Sequence, residues 1–124
     1  MWYMEDDPLF RRTRQHAERR LSFGISQSAK ERIEEIKEFL RLEKEMLHRY
    51  HQKGDSGLRL TRSRAVIIDV LIQFLYSWAI QVANQSMGVT KPMCILATGG
   101  YGRGELSPLS DIDLMFLYPR SSMG

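Results

Sequence analysis

Two carboxylates and a run of glycines in the last quarter of the chain carry its clearest chemistry. Asp111 and Asp113 stand two apart in Ser110-Asp111-Ile112-Asp113-Leu114. In a strand, residues i and i+2 point to one face, so these carboxylates project together while Ile112 and Leu114 pack on the other side. Neighbouring carboxylates repel each other unless a proton or a cation lies between them. Oxygen-only donors suit Mg²⁺, which takes one or two carboxylates and completes its shell with water and substrate phosphate. An Asp-x-Asp pair is common on exposed strands and turns, so it needs a second signal.

Gly99-Gly100-Tyr101-Gly102-Arg103-Gly104-Glu105 supplies that signal. Two glycines after a buried strand let the backbone turn tightly and bring its N–H groups to an anion. A short helix starting near Arg103 would add positive potential, and the Arg103 guanidinium would add a cationic donor. The spacing is Gly-Gly-x-Gly-x-Gly, which does not fit the Gly-x-Gly-x-x-Gly of dinucleotide-binding folds. A strand, a Gly-Gly turn and Asp-x-Asp on a second strand would set a triphosphate cradle beside a metal pair. Nucleotidyl transfer requires that combination, because the metal clamps the phosphates and stabilises the attacking and leaving oxygens.

The elements that must position these residues follow from the apolar pattern. Met93–Thr98 is a short apolar run between Pro92 and Gly99 and reads as a buried strand; Asp111–Tyr118 reads as a second, ended by Pro119. Upstream, Ile33, Ile36, Leu40, Leu47 and Tyr50 recur at helical spacing, with Ser28 and Glu31 as a capping box and Gly54 as the stop. The other faces of this helix carry Lys30, Glu31, Glu34, Glu35, Lys37, Glu38, Arg41, Glu43 and Lys44 and read as solvated. A second helix is expected from about Thr61, as cap, to Met87. Its apolar face, from Ile67 to Val82, is broad enough to need more than one neighbour. The two would form an antiparallel pair joined by Gly54-Asp55-Ser56-Gly57.

The expected organisation is a basic, poorly ordered leader over 1–25, a helical region over 26–90 and the start of a nucleotidyltransferase domain over 91–124. The fold class is α+β, a helical pair followed by the first strand–Gly turn–strand unit of a mixed sheet. The net charge of +3 comes mainly from Arg11, Arg12, Arg14, Arg19 and Arg20, at a terminus that reads as solvated, so a nucleic-acid partner is not favoured. The single cysteine, Cys94, rules out an intrachain disulfide and reads as a buried, inert thiol within its apolar run. His16, His48 and His51 lack a third ligand nearby and read as surface residues. No apolar stretch approaches the ~18 residues of a membrane span, and no secretory signal is visible, which points to the cytoplasm.

The run Thr98-Gly99-Gly100-Tyr101-Gly102-Arg103-Gly104-Glu105-Leu106-Ser107-Pro108-Leu109-Ser110-Asp111-Ile112-Asp113-Leu114 resembles the nucleotidyltransferase motif of the bacterial [protein-PII] uridylyltransferase/uridylyl-removing enzymes. These belong to the DNA polymerase beta-like nucleotidyltransferase superfamily. The resemblance is dense over 95–118. It implies that Gly99, Gly100, Arg103 and Ser110 hold the nucleotide and that Asp111 and Asp113 bind Mg²⁺. It implies UTP as donor and a tyrosine of the nitrogen-regulatory PII protein as acceptor. The superfamily also uses a third carboxylate on a later strand, so the chain is expected to be an N-terminal fragment, inactive alone and prone to self-association through an unfinished sheet. The competing readings are a nucleotidyltransferase of other specificity, such as adenylyl transfer, and a non-catalytic nucleotide-sensing module.

Overall fold

The computed structural model describes residues 7–24, 27–87, 94–104, 106 and 111–118. Among these residues the order is α1 (Pro8–Arg20), α2 (Ala29–Gln52), α3 (Gly57–Met87), β1 (Cys94–Thr98), the single turn α4 (Gly99–Gly102) and β2 (Asp113–Leu117). The fold is α+β, as the pattern predicts, with the strands after the helices. Ser110 and Glu105 lie outside the described residues.

Within the stretch expected to be a poorly ordered leader, Pro8–Arg20 forms a helix. Pro8 opens α1 with its fixed φ, and the Asp7 carboxylate accepts from the Leu9 N–H at 2.8 Å. Phe10, Thr13 and Ala17 fall on one face and are buried, followed by Leu21 and Phe23. Periodicity missed this helix because five of its residues are arginines and Thr13 occupies a core position.

In α2, Ser28 caps as expected, accepting from the Glu31 N–H at 3.1 Å, and Gly54 turns at φ 94 just beyond the end. Of the expected stripe, Leu47 is buried in the main core and Ile36, Leu40 and Tyr50 pack against it. Ile33 is 50% exposed, while Phe39, Glu43 and Leu47 are buried. Glu43, expected on the solvated face, is 1% exposed. Its Oε2 accepts from Arg12 at 3.0 Å and its Oε1 lies 2.6 Å from His16 Nδ1. His16 is therefore also largely withdrawn from the surface. The charge on α2 that stays outside forms the expected helical pairs, with Arg41 bridging Glu38 and Glu45 at 2.8 Å each.

Helix α3 begins at Gly57, ahead of the expected Thr61. Ser56 serves the first turn, its hydroxyl accepting from the Arg59 N–H at 3.2 Å. The broad apolar face meets two neighbours. Val66, Ile67, Val70 and Leu71 join Phe10, Ala17, Phe39 and Leu47 in the main core. Ala65, Ile68 and Ile72 face a second cluster around Tyr101, Leu106 and Leu114. Arg32 of α2 lies over the Trp78 ring at 4.0 Å. One correction concerns apolar length: Gly57–Ala83 is long and apolar enough by length and composition to cross a membrane. Of its most apolar window, 28% is buried in this structure, on the sides that meet the two clusters.

The strands pair antiparallel, with Thr98 opposite Asp113, Leu96 opposite Met115 and Cys94 opposite Leu117. Neither strand is buried on both faces. Cys94, expected inside, is exposed, as are Leu96, Met115, Phe116 and Leu117. Leu114 is drawn into the second cluster, so pleat alternation sends Asp113, Met115 and Leu117 to the opposite, open face.

Candidate functional site

The site is built where β1 ends. Thr98 is extended, and the chain then makes a single helical turn from Gly99, closed by the Arg103 N–H to the carbonyls of Gly99 and Gly100 at 3.2 and 3.1 Å. The turn thus starts at the first glycine, four residues earlier than the sequence predicts. Gly99 sits at φ 63, in the left-handed region that favours glycine. A Cβ there would lie 3.0 Å from Asp113 Oδ2. The Asp113 carboxylate therefore occupies the space that a side chain at position 99 would claim. Gly102 is required for a different reason: a Cβ would stand 2.7 Å from the Ala97 carbonyl oxygen, closer than packing permits.

The sequence-derived site residues are only partly assembled. Gly99 and Asp113 are in contact. Gly100 lies in the same turn, and Arg103 closes it through its backbone. The Arg103 side chain is exposed and makes no hydrogen bond or ion pair among the described residues. Asp111 lies two residues ahead of the start of β2 and is exposed, so the strand argument for a shared face covers Asp113 but stops short of Asp111. Among the described residues, no group of three or more His, Cys, Asp or Glu side chains converges. Two carboxylates with open solvent around them still match the donor set that Mg²⁺ takes when substrate phosphates complete its shell.

Sequence reasoning passed over the residues that fix the turn to the helices. Tyr101 is 4% exposed, and its hydroxyl donates to Asp69 Oδ1 on α3. The Leu106 N–H donates to the Thr61 carbonyl at 3.1 Å. Gly104, at φ 73, is buried between them. The available signals were an aromatic inside a glycine run, which must bury its ring somewhere, and an acid at position 69 between Ile68 and Val70 on a helix face that is otherwise apolar.

A family model described as glutamate-ammonia ligase adenylyltransferase (GlnE) matches residues 37–123, from mid-α2 through the glycine turn and both strands. Among curated proteins, the chain is similar to bifunctional uridylyltransferase/uridylyl-removing enzymes. The Caulobacter vibrioides protein is 40% identical over 70 residues, covering 55% of this chain and 7% of that protein. The Rhodospirillum rubrum protein is 35% identical over 79 residues, covering 60% and 8%. The Pseudomonas entomophila protein is 37% identical over 86 residues, covering 68% and 9%. The chain thus spans less than a tenth of the length of these relatives. No solved structure matches it. The glycine turn with its adjoining aspartate, read together with the match over 37–123, leads to one conclusion: the chain belongs to the glutamate-ammonia ligase adenylyltransferase family of nucleotidyltransferases.

Proposed function

We propose that this chain carries the phosphate-cradling and metal-holding part of a nucleotidyltransferase site that transfers UMP from UTP to a tyrosine of a PII-type regulatory protein. The observation that carries this reading is the contact between Gly99 and Asp113, which sets a carboxylate at the mouth of a glycine turn. Backbone N–H groups of the turn hold the triphosphate, with Arg103 as a cationic donor and Ser110 as a further nucleotide-binding residue. Asp111 and Asp113 hold Mg²⁺. A bound ion would neutralise phosphate charge and polarise the α-phosphoryl group, and the transfer would exchange the α–β phosphoanhydride of UTP for a bond to the tyrosine oxygen, releasing pyrophosphate. The chain's own part is to fix phosphate and carboxylate relative to each other, which is the main source of rate in phosphoryl chemistry.

Calorimetry with UTP, ATP, CTP and GTP in Mg²⁺ tests the reading. UTP is expected to bind best, and Asp113→Asn to abolish the metal-dependent part. Nucleotide binding that is indifferent to Asp111→Asn plus Asp113→Asn would favour a non-catalytic module. A second reading has its own support, since the matching family is described as an adenylyltransferase. Preference for ATP over UTP would move the proposal to adenylyl transfer. The isolated chain, with two candidate carboxylates, is expected to uridylylate PII far more slowly than a full-length relative; comparable turnover would overturn that expectation.

A further inference from the structure

Three of the four residues of α4 are glycines, so Tyr101 alone gives the turn a side chain with which to grip the rest of the fold. Glycine lets the backbone turn tightly, but it is also the residue with the most conformational freedom to lose. Whatever holds Gly99 and Gly100 in place must therefore act largely through their neighbour. Tyr101 does so in two ways. Its ring is buried with Ala65 and Leu106, in a cluster against which Ile68 and Ile72 of α3 also pack. Its hydroxyl donates to Asp69 Oδ1, on the same helix as Ala65 and four residues further on. That hydroxyl is turned to α3, so Tyr101 is not placed as a phosphate donor or as an acceptor tyrosine. Leu114 packs against the same cluster and is the residue next to Asp113. One cluster thus references both halves of the candidate site, the glycine turn through Tyr101 and the Asp113 carboxylate through Leu114. The two halves meet closely, since a Cβ on Gly99 would lie 3.0 Å from Asp113 Oδ2.

We propose that Tyr101 and Asp69 are a positioning pair for this site. The bond between them holds the Gly99 and Gly100 backbone at the separation from the Asp113 carboxylate that a metal-bound phosphate requires. The proposal rests on the reading of the turn as phosphate-binding. It adds that affinity for a metal-bound nucleotide is set in part from α3, by a residue thirty positions ahead of the glycine run. A carboxylate acceptor suits the task, because its hydrogen bonds are stronger than those between neutral groups.

The test is calorimetry of the full chain with UTP and with ATP, each in Mg²⁺, paired with the melting temperature of every variant. Tyr101→Phe keeps the ring and removes the hydroxyl. Measured well below its melting temperature, it is expected to bind nucleotide about tenfold more weakly than wild type. Asp69→Leu should reproduce that loss, and the double variant should bind no more weakly than either single, because one bond is lost in each case. Asp69→Asn keeps an acceptor oxygen for the hydroxyl and should fall between wild type and Asp69→Leu. If Tyr101→Phe fails to fold, the two Asp69 variants make the same comparison at a half-buried position. Ile72→Val trims the same cluster without touching the bond; it should lower the melting temperature and leave affinity unchanged. Wild-type affinity in both Tyr101→Phe and Asp69→Leu would overturn the proposal and leave the nucleotide reading standing. An equal loss in Ile72→Val would also overturn it, since cluster stability alone would then account for the effect. A wild-type chain that binds neither nucleotide would overturn the reading of the turn, and the proposal with it.

Discussion

At the scale of single residues, Gly99 and Glu43 show how much depends on one side chain. Gly99→Ala must hold an L-residue at φ 63 and press a methyl against Asp113 Oδ2. We expect it to lower stability by about 1–2 kcal/mol, the cost of the left-handed region, and to weaken nucleotide binding by displacing the carboxylate. Urea denaturation and calorimetry measure the two effects separately. Glu43→Ala removes the shared acceptor of Arg12 and His16 inside the main core. The expected loss is about 3 kcal/mol, since a broken buried pair leaves its partners without compensation. Glu35 gives a pH signature. Burial raises its pKa, but hydrogen bonds from the Ser22 hydroxyl, the Gln27 amide and the backbone N–H groups of Phe23 and Ser22 outweigh burial, so the carboxyl is held below its ordinary value. Its contribution is therefore present above the usual carboxylate range and disappears as pH falls through the depressed pKa. Glu35→Gln should flatten the acid limb of a plot of melting temperature against pH; an unchanged limb would count against this assignment.

At the scale of elements, α3 is the shared wall between the main core and the glycine turn. Tyr101 and Asp69 tie the turn to it, and the Leu106 to Thr61 hydrogen bond ties the segment just beyond. Tyr101→Phe should cost about 1 kcal/mol, and the double variant with Asp69→Asn should cost less than the sum of the singles if the two act as one unit. The breadth of the apolar face of α3 made its need for more than one neighbour legible in the sequence, whereas Ala65, Ile68 and Ile72, which meet the second cluster, lie off the face that periodicity picks out. The strands, the Ser28 cap and the Gly54 stop were legible for similar reasons, each resting on a local signal. α1 was not, because its pattern is written in Phe10, Thr13 and Ala17 among arginines. The burial of Glu43 was equally hidden, because it depends on Arg12 and His16 arriving from another helix. Of the site, the glycine turn and Asp113 could be read from spacing, whereas the anchoring of Tyr101 required the packed partner at position 69.

At the scale of the whole molecule, the described sheet has two strands and both are edges. Leu96, Met115 and Leu117 lie on its open face beside Asp113, each close to half exposed or nearly so. Unpaired hydrophobic strands invite pairing with another chain. The chain is expected to sediment as a concentration-dependent oligomer, and Met115→Lys to shift it toward monomer; a monomer at all concentrations would contradict this. The register has a further consequence for how such a sequence tolerates change. Asp113 reaches Gly99 because it stands opposite Thr98, the residue immediately before the turn. Strands have a parity of two, so the carboxylate keeps its face only while the count from Leu114, anchored in the second cluster, stays fixed. Insertions in the segment joining the turn to β2 change its length without changing that parity. A single residue inserted between Asp113 and Leu114 would turn the carboxylate away from the glycine while leaving every candidate site residue in place.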